Sequence, residues 1–200
     1  AGQHIDHICT PHPELRQFMA NRSIPVEIYT TSHRILGRVN PSASGLFSFL
    51  NIPTTSFLEL EGAMLMRLHQ PGKLVARYPT FYVVKSEIAA ALLSSRSQLG
   101  PTSFARGGYS TTVPHWVRVV MGGYEVRGVV EAPGKFSFGG LMFEGERLFI
   151  PVFNASLQAI LFPNVHAEAP AMLFNRRMVD GMALLSKDEI PAGAESEAGE

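Results

Sequence analysis

The sequence predicts a mainly all-β protein made of two tandem small β-domains, each a barrel or a curled sheet. Three observations carry this. First, Val26 to Leu93 lies over Val117 to Leu185 with a constant shift of 91 residues, changing to 92 after one single-residue gap. Identical pairs include Val26/Val117, Gly37/Gly128, Val39/Val130, Phe47/Phe138, Leu50/Leu141, Phe57/Phe149, Ala63/Ala155, Leu65/Leu157, Pro71/Pro163 and Ala91-Leu92-Leu93/Ala183-Leu184-Leu185, while Tyr82/Phe174 keep aromatic type. Second, each copy holds about five short alternating, β-branched stretches separated by turn signals. Third, helical periodicity is scarce, which argues for a small barrel or curled sheet. The matches are apolar residues and turn residues, and the polar residues between them mostly differ. Architecture is therefore more legible than chemistry.

The chain divides into five sections. Residues 1–25 form an extended arm punctuated by Pro11, Pro13 and Pro25, with a short helix expected after Pro13, where proline is tolerated at the first helical position. Residues 26–93 are the first β-domain. It opens with two strands around a Thr-Ser-His turn, and the matching place in the second copy carries Gly122-Gly123, a direct hairpin signal. A polar loop, an apolar patch at Leu46–Leu50, a strand at Ser56–Glu61, a Pro71-Gly72 turn and a last strand at Thr80–Val84 follow. Residues 94–114, rich in Ser, Gly, Pro and Arg, read as a linker. Residues 115–185 repeat the pattern, with Pro151 interrupting a strand and so suggesting an edge or a bulge. Residues 186–200 have the acidic, aromatic-free look of a disordered tail.

Composition narrows the classes of function. Seventeen basic residues balance seventeen acidic ones, so no overall field favours nucleic acid or an anionic membrane. Charged residues are 17% of the chain and hydrophobic ones 46%, leaving little charge to keep copies apart. Oligomerisation or burial in a larger assembly is the expected consequence. The single cysteine, Cys9, allows no internal disulfide and fits a reducing compartment. No apolar run is long enough to span a bilayer and no secretory signal is visible, so the expected location is cytoplasmic.

The order hairpin with "G-x-V", apolar "LFSFLN" and then "FLELEGA" in the first copy resembles a poorly characterised family of small bacterial β-domains, and is loosely similar to Sm-like barrels. The resemblance covers about two thirds of the chain, on apolar spacing and turns. It implies strand-edge pairing between domains. It also implies an RNA- or small-ligand-binding surface at Asn51, Lys85 and, in the second copy, Arg176, where Met142 stands in place of the asparagine.

Read from the residues alone, the densest cluster of coordinating side chains is His4, Asp6, His7, Cys9 and His12. Imidazole and thiolate suit zinc, but the spacing matches no standard zinc module, and an extended arm docking Ile5 and Ile8 explains the pattern as well. No G-x-S-x-G elbow, phosphate-binding loop or dinucleotide fingerprint occurs. Glu59 and Glu61 alternate with Leu58 and Leu60 and read as a solvent-facing strand edge. Arg96 and Arg106, interleaved with Phe104 and Tyr109, are the best nucleic-acid candidates in the linker. The balance favours a non-enzymatic structural or assembly protein without cofactor, partnered by copies of itself or by other subunits through β-edges, apolar faces and the arm. The alternatives are an Sm-like RNA- or ligand-binding module and a metal protein centred on the arm.

Overall fold

The computed structural model describes residues 23–41, 45–101 and 112–190. The protein is mainly β. Ten strands, β1 (Ile24–Tyr29), β2 (His33–Val39), β3 (Phe57–Arg67), β4 (Leu74–Val84), β5 (Ala90–Leu93), β6 (Thr112–Met121), β7 (Tyr124–Pro133), β8 (Phe149–Ala159), β9 (His166–Asn175) and β10 (Val179–Leu184), form a single antiparallel sheet. Two short helices, α1 (Gly45–Asn51) and α2 (Phe138–Met142), precede β3 and β8. Strand order is β10-β6-β7-β8-β9-β5-β1-β2-β3-β4. Each half thus has the same internal order, with its fifth strand outside its first, and the halves join where β9 pairs with β5. The halves are separate in sequence but not in space, and the last three residues of the expected linker, 112–114, already belong to β6. Neither half closes on itself, because β5 pairs with β9 rather than with β4.

The expected hairpins form for the expected reason. Gly122 and Gly123 have φ of 50° and 86°, the left-handed pair that a two-residue turn between Met121 and Tyr124 requires. In the first half Thr30 takes over this work: its Oγ1 accepts from the backbone N–H of Ser32 and of His33.

Each half also bends where its second strand meets its third. The ladder between β2 and β3 is irregular between Leu36 and Arg38, and that between β7 and β8 between Arg127 and Val129. Opposite these points stand Gly62 and Asn154, both left-handed, with φ of 60° and 46°. The bend drives the backbone against Gly37 and Gly128. A Cβ on Gly128 would lie 2.7 Å from Phe153 O and from Val152 Cγ2, and one on Gly37 would lie 3.2 Å from Leu60 Cβ.

The register corrects one part of the sequence overlay. β2 and β7 correspond at a shift of 91 and β3 and β8 at 92: Ile35 faces Leu65 as Val126 faces Leu157. After the turn into β4, however, Met66 pairs with Leu74 and Leu65 with Ala76, so Val75 bulges out and the shift returns to 91. Leu58 faces Val83 as Ile150 faces Phe174, and Ile28 faces Ala91 as Val119 faces Met182. Tyr82 therefore corresponds to Leu173 rather than Phe174, and the Ala-Leu-Leu match is out of phase by one residue. A one-residue slip exchanges the two faces of a strand: Val83, the counterpart of Phe174, is buried, while its neighbour Tyr82 is 59% exposed. The true register aligns Pro79 with Pro170 and Ser95 with Ser186. Both serines open a short 3-10 turn: the Ser95 N–H donates to Gln98 Oε1 and the Ser186 N–H to Glu189 Oε2. The linker and tail expected from 94 and 186 thus both begin with capped turns.

Two apolar cores lie on opposite faces of the sheet. One gathers Val117, Val119, Val126, Ile150, Val152, Met172 and Phe174 of the second half, with Tyr29, Leu68, Ala90 and Leu92 of the first. The other gathers Val26, Ile28, Ile35, Leu46, Leu50, Leu58 and Leu60 of the first half, with Val129, Phe149, Phe153, Ala171 and Leu173 of the second. Alternation explains the sharing. Even-numbered Leu92, Met172 and Phe174 face one core, while Ala91, Leu93, Ala171 and Leu173 face the other. β5 is consequently buried on both sides, as is β9 from Ala171 to Asn175. Pro151 lies inside β8, opposite Leu173 of β9 and beyond the stretch that pairs with β7, so β8 has a paired strand on only one side at that point, a local edge rather than a bulge.

Candidate functional site

The residues that the resemblance singles out are turned inward. Asn51, at the end of α1, donates from Nδ2 to Phe47 O at 3.0 Å and to Phe149 O at 3.2 Å, and its Oδ1 accepts from the Phe149 N–H at 2.8 Å. It therefore caps its own helix and holds the first residue of β8. Lys85, 4% exposed, sits at the start of the 3-10 turn after β4. Its Nζ donates to Phe49 O at 2.9 Å, to Ile52 O at 3.2 Å and to Thr55 Oγ1 at 2.7 Å. Burial pulls its pKa below the ordinary lysine value.

Arg176 is the counterpart of Lys85 at a shift of 91, and it performs the same task. Its guanidinium donates to Glu144 O and Gly145 O, in the loop that runs from α2 to β8. In both halves a cation following the fourth strand satisfies carbonyls left open around the end of a short helix. The resemblance already sets Arg176 near Lys85's place, but this role is not visible in the sequence because the acceptors are mostly backbone carbonyls. Asn51 and Lys85 spend their donors on backbone carbonyls and a hydroxyl, whereas Arg176 is half-buried and makes its two carbonyl bonds at the surface.

His4, His7, Cys9 and His12 lie outside the described residues, as do Arg106, Phe104 and Tyr109. Among the described residues no group of three or more His, Cys, Asp or Glu comes together to hold a metal. Arg96 stacks its guanidinium 4.6 Å from the centre of the Phe153 ring and donates to Asn154 Oδ1 at 3.0 Å, tying the turn after β5 to β8. Glu59 and Glu61 point to solvent as expected, but on a strand paired on both sides rather than at a sheet edge, and Glu61 accepts from Asn40 Nδ2.

A groove of about 540 Å³ opens beside the seam, lined by Gly37, Gly62, Met64 and Leu92 of the first half and by Glu168 and Pro170 of the second. Two of its charged side chains are already engaged. Glu27 takes the Arg34 guanidinium at 2.6 Å and the Tyr29 hydroxyl, and Arg38 donates to Ser23.

Two further contacts close the seam between the halves. Asn175, fully buried, donates to Ser86 O and Ile88 O, while its Oδ1 accepts from the Arg177 N–H. Tyr124 donates its hydroxyl to Thr30 O and meets the Tyr29 ring edge-on, with centroids 5.8 Å apart. Buried β5 and β9 contrast with their counterparts at the two ends of the sheet. Among the described residues, β4 pairs only with β3 and β10 only with β6. β4 leaves Leu74, Val75, Tyr78, Tyr82 and Val84 exposed, and Phe57 of β3 lies beside Tyr82, with ring centroids 5.5 Å apart. At the other end Leu184 of β10 is exposed, and so are Phe138 and Phe143 around α2.

Comparison of the chain with protein-family models, with curated proteins and with solved structures finds no match. Among the described residues no helix is long and apolar enough to cross a membrane.

Proposed function

We propose that the protein is a non-enzymatic assembly unit that associates with copies of itself through its β-edges and the apolar residues beside them. The observation that carries this reading is β4. It is eleven residues long, its outer side has no strand partner among the described residues, and it displays Tyr78, Tyr82 and Val84 to solvent. An exposed edge of this kind is a template for a further strand unless charge or proline blunts it, and β4 carries only Arg77 and Pro79 for that purpose. The low charge content of the chain supports the same reading, since little repulsion opposes contact between copies. In this reading each half plays the part of one Sm-like domain, and the chain joins two of them.

The inward bonding of Asn51, Lys85 and Arg176 weighs against a nucleic-acid surface built on those three side chains. The test is the native mass by light scattering after size exclusion, at low and moderate salt. A defined multimer well above 21.9 kDa is expected, and a monomer at every concentration would overturn the proposal.

A further inference from the structure

We infer that the partner of β4 is β10 of a second copy, paired antiparallel in the register that β9 and β5 already use inside the chain. This rests on the self-association proposed above and commits it to one pair of edges and one phase. The argument starts from equivalence. At a shift of 91, β9 corresponds to β4 and β5 to β10. The chain therefore carries one completed junction, β9 on β5, and the two unused halves of the same junction at its ends.

Moving the internal register outward gives the external one. Inside, Ala90 faces Phe174, Ala91 faces Leu173, Leu92 faces Met172 and Leu93 faces Ala171. Between copies, Val83 then faces Gly181, Tyr82 faces Met182, Phe81 faces Ala183 and Thr80 faces Leu184. Proline sets the limit in both places. Pro170 stands immediately before the paired stretch of β9, and Pro79 stands immediately before Thr80. Lacking an N–H, each closes the ladder at the same point.

The side chains flanking the edges agree with this assignment. In the internal junction Phe149 and Leu173 of the second half enter the first half's core, next to α1, and both are 0% exposed. Their counterparts Phe57 and Tyr82 are 49% and 59% exposed. The receiving side has its counterpart too. Leu46, Phe47 and Leu50 of α1 pack in the core that Phe149 and Leu173 enter, and the matching region of α2 presents Phe138 and Phe143 to solvent. Leu68, buried in the internal junction, becomes Ile160, which is 51% exposed. Apolar side chains that the chain buries at its centre thus reappear uncovered at its ends, donor-type residues at one end and receiver-type residues at the other. Such a contact is head-to-tail. It forms a ring if the rotation per copy closes and a filament if it does not.

The test uses the full chain with Cys9→Ser as background and introduces cysteine pairs on the two edge strands. Thr80→Cys with Leu184→Cys places both thiols opposite one another in the inferred register, while Thr80→Cys with Met182→Cys displaces them by two residues. The first variant is expected to give a reducible ladder of cross-linked dimers, trimers and larger species, at least tenfold more abundant than in the second. A multimer by native mass with equal cross-linking of both variants, or with cross-linking only of the displaced pair, would overturn the register and leave self-association standing. A monomeric protein with no ladder would overturn both.

Discussion

Asn51 and Phe149, 98 residues apart, grip each other as two strand residues do, the asparagine amide accepting the phenylalanine N–H and donating to its carbonyl. A side chain here stands in for a missing strand at the start of β8, and its helix supplies the apolar cover. Replacing it exposes a buried backbone pair with no other partner in view. Asn51→Leu is expected to lower stability by about 1–3 kcal/mol, the cost of stranding buried polar groups. Equilibrium urea unfolding checks this, with an unchanged slope and an earlier midpoint as the expected result.

Lys85 tests the paired cation device. Its ammonium is the donor for two carbonyls and a hydroxyl around the exit of α1. Lys85→Met keeps the stem and removes the donors, and should cost about 1–3 kcal/mol. Lys73→Met, at an exposed position, should fall within about 0.5 kcal/mol of the parent. Equal effects from the two would contradict a structural role for Lys85.

The two bend glycines should differ in their tolerance of a methyl group. Gly128→Ala sets a Cβ 2.7 Å from a backbone oxygen, which side-chain motion cannot relieve, whereas Gly37→Ala meets Leu60 Cβ at 3.2 Å. Overpacking costs about 1–3 kcal/mol, so Gly128→Ala should lower the melting temperature well below that of Gly37→Ala. Differential scanning calorimetry on the two variants decides it.

Alkaline pH should loosen the seam. Burial, reinforced by the hydrogen bond to Glu27, raises the Tyr29 pKa above its ordinary value of 10.0, and burial alone raises that of Tyr124. A phenol that resists ionisation when folded stabilises the fold fully below pH 10 and loses that contribution as pH rises toward the folded value. Stability should therefore fall above pH 10 by up to about 1.4 kcal/mol per pH unit for each tyrosine. The double variant Tyr29→Phe, Tyr124→Phe should show a shallower decline in urea midpoint over the same range.

The inferred intermolecular joint lacks polar contacts that the internal seam possesses, and one of them is simple to restore. Asn175 donates to Ser86 O and Ile88 O, and its counterpart on the free edge is Val84. Val84→Asn restores that amide to β4, and each added hydrogen bond contributes about 0.5–1.5 kcal/mol. Association should tighten by roughly two- to tenfold, read as a lower concentration of half-dissociation in sedimentation velocity.

The sequence made the β class, the hairpins and most core positions legible, because apolar alternation and turn glycines report packing directly. Gly37 and Gly128 matched because the same close approach excludes a Cβ in both halves. The phase of the last two strands was hidden by Val75, one bulged residue whose effect cannot be distinguished from a loop insertion without the ladder. The false Ala-Leu-Leu match then looked convincing, since any short apolar strand resembles another one residue away. The capping box at Ser95 and the matching turn at Ser186 carry the correct phase, but the composition around them has the look of a linker and a tail. The roles of Asn51, Lys85 and Arg176 were illegible for a different reason. Their partners are backbone carbonyls, which leave no mark on residue identity.

The sharing of cores has a consequence for the order of events during synthesis. Leu46, Leu50 and Leu58 emerge from the ribosome early, but the aromatic groups that complete their surroundings, Phe149 and Phe153, come some hundred residues later, and Leu173 later still. β5 cannot acquire its second neighbour until β9 has been made. The first half thus remains unfinished until β9 has been made, and the long-range pairing that finishes it is of the kind that forms slowly. Once closed, neither half can melt without uncovering the other's interior, so heat should dismantle the described sheet in one step.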